Sequence, residues 1–171
     1  MRISIVPQNL HWLPKVPAER DLCAHGGVVV TCDGEVLIDD RDKQWALSAA
    51  ALYLLRTLTS DHTQENALGE QLFPCCGHAM YAEPESQNIL IVGCPNGRDW
   101  AVLHREESVV LMLEGGRQLK VSRSDWRDAV LAFSDAVEGF YAGSADKQPA
   151  DEEAAGFTAF RAEWKRRREA A

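Results

Sequence analysis

The chain has 171 residues, 46% hydrophobic and 26% charged, with a formal charge of −8 and an isoelectric point near 5.1. Such a length and apolar content suffice for one core-bearing domain, and the acidic balance argues against nucleic acid and anionic membranes as partners, since both reward basic surface. The richest apolar stretch, residues 45–58, is interrupted by Ser48, Arg56 and Thr57, so nothing approaches the ~20 apolar residues of a membrane span.

Ahead of Pro7 stand too few apolar residues for the core of an export signal, and the expectation is a cytoplasmic protein. Five cysteines, an odd number, then predict reduced thiols rather than a disulfide framework. Residues 3–6 read as a short strand, followed by a segment in which Pro7, Pro14 and Pro17 forbid a long helix. Val28-Val29-Val30-Thr31, then Cys32-Asp33-Gly34, then Glu35-Val36-Leu37-Ile38 read as a hairpin, because an Asp-Gly pair supplies the positive φ angles of a tight turn between β-branched runs.

From Asp42, a candidate N-cap, the Ala- and Leu-rich run from Trp45 to Leu55 predicts a largely buried helix. Residues 59–70 are polar and read as a surface loop or a frayed helix end. Five strand-like runs follow, at 78–82, 88–92, 100–105, 108–113 and 118–121; Glu106-Glu107 and Gly115-Gly116 join the last three, so sequential antiparallel pairing is the economical topology. Ser122 or Ser124 opens a second helix whose apolar positions Trp126, Val130, Phe133, Val137 and Phe140 form one stripe, with Gly143 as its stop. A polar linker with Pro149 leads to a terminal helix with acids first and Lys165–Arg168 last, the order that complements a helix dipole.

The fold expected is therefore α+β: an antiparallel meander with two or three helices packed mainly on one face, plus a C-terminal helix. Residues 1–144 make a single domain, and 145–171 a linker and amphipathic helix.

Four groups of residues bear on chemistry. Cys75, Cys76, His78 and Cys94 offer thiolate and imidazole donors suited to zinc, with Cys23, His25 or His104 available to complete a tetrahedron. Cys94-Pro95-Asn96-Gly97 resembles half of a zinc-ribbon knuckle but lacks its second cysteine. A cysteine nucleophile with His78 or His104 as base and Asn96 as orienter is conceivable, although such sets are spatial and spacing does not reveal them. Gly93 and Gly97 lack the Lys-Ser/Thr of a phosphate loop, and the acids near Asp33–Asp42 lack the glycine and terminal glutamate of a calcium loop.

Without a convergent catalytic signature, the leading expectation is a non-enzymatic cytosolic binding protein of the inhibitor, antitoxin or immunity type, one that occludes a basic protein partner by charge complementarity. Its expected surface is the acidic rim Asp33, Glu35, Asp39, Asp40, Asp42, Asp61 and Glu65. The leading expectation includes no cofactor; a zinc-binding or redox-sensing module on the Cys/His set is the first alternative, and a small enzyme with a site assembled from distant residues the second.

Overall fold

A computed structural model of the chain describes residues 1–77, 79–83 and 85–171. The fold is α+β, with antiparallel sheets, two long helices and a central short one. Strands β1 (Ile3–His11), β2 (His25–Cys32) and β3 (Glu35–Ala46) form a three-stranded antiparallel sheet in that order. Its second turn is the expected hairpin, with Asp33 at φ 49° and Gly34 at φ 84°, the double positive value that a two-residue turn between right-twisted strands requires.

Helix α1 (Leu47–Arg56) follows β3 without a loop, and all ten of its residues are buried. Asp42 does not cap it. Trp45 and Ala46 pair with Gly26 and His25 as strand residues, and the first helical amides, of Leu47 and Ser48, donate to the Ala24 carbonyl instead. Pairing to β2 thus outweighs the local helix propensity of Trp45-Ala46.

The loop after α1 departs from the expected exposed segment. His62 is fully buried and exchanges two backbone hydrogen bonds with Val102. The Leu68 amide donates to its Nδ1, so Nε2 carries the proton and donates to Asp99 at 2.9 Å. Asp99 also accepts from the Leu72 amide, so the pair folds the loop back onto the sheet.

Next come β4 (Phe73–Pro74), β5 (Ala79–Ala82), β6 (Ile89–Val92) and β7 (Gly97–Arg98), where β4 pairs with β7 and β5 with β6. Then β8 (Ala101–Arg105), β9 (Ser108–Met112) and β10 (Gln118–Ser122) form the predicted meander, turning at Glu106-Glu107 and through a short 3-10 turn at Glu114–Gly116. Among the described residues, the strands thus divide among two three-stranded sheets and two short ladders.

Helix α2 (Arg123–Ala142) has Ser122 as its N-cap, accepting from the Asp125 amide, and ends at Gly143. Its buried stripe of Trp126, Val130, Phe133 and Val137 joins Leu52, Leu55, Ile89, Ile91 and Leu111 in one core, with Trp45 and Phe140 packed at the margin. Helix α3 (Asp151–Glu169) packs on α1, β5 and β6. Gly156 permits this contact, because a Cβ there would run into the Met80 carbonyl. Among the described residues, no helix is long and apolar enough to cross a membrane.

Candidate functional site: a cysteine-bearing hairpin

The two short ladders are one hairpin. Phe73 faces Arg98 and Pro74 faces Gly97; six residues beyond Phe73, Ala79 faces Val92, six residues before Arg98. The register is the same in both ladders, and the described residues 75–77 and 93–96 lie between them, Cys75, Cys76 and Cys94 among them. The Cys75 amide still donates to the Asn96 carbonyl at 3.0 Å, and Gly93 lets the strands close in, since a Cβ there would meet the Cys76 carbonyl.

The three sulfurs lie within 4.8 Å of one another. Those of Cys75 and Cys94 are in bonding contact as a disulfide, where the cysteine count predicted reduced thiols. Cys76 keeps a free thiol, its sulfur 4.0 Å from that of Cys75, and the Cys94 amide donates to it at 2.9 Å. Among the described residues, no other trio of His, Cys, Asp or Glu donor atoms comes this close.

The other ligands and bases offered by the sequence stand elsewhere or fall outside the described residues, as His78 does. His104 is held by Asp61, whose Oδ1 accepts from both its amide (2.7 Å) and its Nδ1 (2.8 Å); these bonds, the amide's first, hold the Asp61 carboxyl below the usual carboxylate range. Cys23 is fully buried, and burial pushes its thiol up to about 12, which leaves it protonated and a poor ligand or nucleophile. His25 lies buried beside Asp21. His104, Cys23 and His25 do not join the sulfur cluster.

The acidic rim is less of a unit than the sequence implied. Asp33 accepts from the Arg2 amide, Glu35 makes a two-pronged pair with Arg117, and Asp39 makes one with Arg41. Hydrogen bonds from those arginines lower both the Glu35 and Asp39 carboxyls. Asp42 and Glu65 are exposed. Asp40 is a correction: it is 5% exposed and bound through both oxygens to Arg98 at 2.9 and 3.1 Å. The cause is register. Between the pairs Gly26–Trp45 and Val28–Asp40, β2 advances two residues and β3 five. Asp40 therefore stands opposite fully buried Val28 and points to the same inner face.

The hairpin also carries a surface that the sequence pattern does not single out. Tyr81 opposes Leu90, and Val92 opposes Ala79, so these four residues share the outward face, while Met80, Ile89 and Ile91 face the core. Tyr81 is 56% exposed, Leu90 48% and Val92 46%. Exposed Glu83 and Glu85 stand in the connection at its tip. The alternation is present in Ile89-Leu90-Ile91-Val92, yet an all-apolar run does not say which side is covered.

No protein-family model, curated protein or solved structure matches the chain.

Proposed function

We propose that the chain is a non-enzymatic binding protein that occludes a basic protein partner, in the manner of an inhibitor, antitoxin or immunity protein acting in the cytoplasm. The observation that carries this reading is the outward face of the cysteine hairpin, where Tyr81, Leu90 and Val92 lie side by side in solvent. Clustered exposed apolar side chains mark contact surfaces, and tyrosine is among the residue types enriched in binding hot spots. A net charge of −8 favours a cationic partner and accelerates encounter. The exposed acids Asp33, Glu35, Asp39, Asp42 and Glu65 contribute to that negative charge, Glu35 and Asp39 being offset by their pairs with Arg117 and Arg41.

The test is affinity capture from the source cell, followed by binding kinetics with the captured protein. Leu90→Asp combined with Val92→Asp should abolish binding, while Asp39→Asn combined with Asp42→Asn should slow association several-fold and flatten its salt dependence. A partner that binds the Leu90/Val92 variant as tightly as the parent chain, or one that is itself acidic, would overturn the reading.

A further inference from the structure

We propose that Cys75, Cys76 and Cys94, in their reduced state, together bind a zinc ion. A Cys75–Cys94 disulfide accounts for two of the sulfurs in the hairpin and gives the third no task. Yet the Cys76 sulfur is placed with them, 4.0 Å from that of Cys75. Tetrahedral zinc with Zn–S bonds near 2.3 Å sets its sulfur ligands roughly 3.8 Å apart, close to that separation. Once the Cys75–Cys94 bond is reduced, those two sulfurs are released to separate toward the same spacing.

The backbone supports the cluster as well: the Cys94 amide donates to the Cys76 sulfur at 2.9 Å, an outer hydrogen bond of the kind that orients a metal ligand. A set of thiolates selects a soft, thiophilic cation, and zinc is the redox-inert choice. Binding displaces the thiol protons into solvent, with one metal–sulfur bond formed for each S–H bond broken, and three sulfurs leave one coordination position for a further donor. Two-stranded ribbons are marginal on their own, so a metal joining both strands would stabilise the hairpin directly. This inference does not depend on the partner-binding reading, and either can fail alone.

The experiment uses the full chain, reduced anaerobically with a water-soluble phosphine; the phosphine takes the oxygen of one water molecule and leaves both former disulfide sulfurs as thiols. Cobalt(II) is then titrated in as a spectroscopic stand-in for zinc. The expected result is a sulfur-to-cobalt charge-transfer band that saturates at about one equivalent and is abolished by zinc. The zinc-loaded chain should melt roughly 5 °C or more above the chelator-treated one. Cys76→Ser should lose the band and Cys32→Ser should keep it; if Cys76→Ser fails to fold, the titration of the unaltered chain decides. Absence of the band in folded, reduced protein overturns the proposal, as does a band that survives Cys76→Ser. Alkylation in freshly broken cells provides an independent test. Counted after denaturation, three alkylated thiols and no zinc in the native chain would mean that the disulfide is the working state, again overturning the proposal, whereas five thiols, with Cys75, Cys76 and Cys94 alkylated in the native chain only after chelation, support it.

Discussion

Replacing Glu163 with alanine should destabilise the protein by about 3 kcal/mol, the lower end of the roughly 3–5 kcal/mol typical when one partner of a buried ion pair is removed. Glu163 is 1% exposed and accepts four hydrogen bonds: from Arg56 Nε (2.9 Å) and Nη2 (2.8 Å), from Arg167 Nε (2.7 Å) and from the Ile89 amide (2.8 Å). Truncation leaves the Ile89 amide without this acceptor and buries the Arg56 guanidinium without its counter-charge. Arg56 keeps the Leu68 and Ile89 carbonyls, which is why the lower end applies. The assay is urea unfolding at pH 7 with the slope held constant. Converting both residues to apolar ones, Arg56→Met with Glu163→Leu, should recover most of the loss. Burial pushes the Glu163 carboxyl up, but the hydrogen bonds and charge of Arg56, with those of Arg167 and the Ile89 amide, outweigh it and hold the group below its ordinary value. A lowered folded-state value means that the stabilisation is complete above the usual carboxylate range and is lost as pH falls through the lowered one. Glu163→Gln should therefore show a shallower acid limb than the parent chain. A loss below about 1 kcal/mol, or identical acid limbs, would refute this account.

Two further substitutions test the core and the corrected rim. Phe133→Ala should cost about 3–5 kcal/mol, since the ring is fully buried and meets Phe73 edge-on at 5.6 Å; a cost under about 1 kcal/mol in the same titration would mean that α2 does not close the core. Asp40→Ala should cost about 1.5–3 kcal/mol through its charged hydrogen bonds, whereas exposed Asp39→Ala should stay within about 0.5 kcal/mol, and the reverse ranking in parallel melts would show that β3 pairs in a different register.

Local chemistry made much of the fold legible. Asp33-Gly34 and Ser122 with Asp125 each act through their own few residues and do what their types dictate, whereas Gly143 ends α2 as expected but at an ordinary φ of −83°. The features that escaped the sequence are those set by a distant strand. Asp40 looks like its neighbours Asp39 and Asp42, and only the irregular pairing with β2 turns it inward. Arg56 interrupts an apolar helix and Glu163 sits in a charge-rich one; nothing local joins residues 107 positions apart. His62 lies in a polar stretch, and its burial depends on Asp99 and Val102 arriving from the far side of the hairpin.

The hairpin shows why the sulfur cluster and the apolar face belong to one design. In a strand, a slip of one residue exchanges the two faces, so an all-apolar run such as Ile89-Leu90-Ile91-Val92 has no preference of its own for which residues it shows to solvent. Its register must be imposed from outside, and it is imposed at both ends. Immediately past Val92, the Cys94 amide and sulfur are tied to Cys76 and Cys75. At the other end, Ile89 is clamped through both backbone groups, its amide to Glu163 and its carbonyl to Arg56. Between two fixed ends there is no room for a slip, and Leu90 and Val92 are committed to the outer face beside Tyr81. Loss of the sulfur anchor or of the ion pair should therefore first scramble the exposed surface, while the buried face, where any apolar residue serves, gives way last.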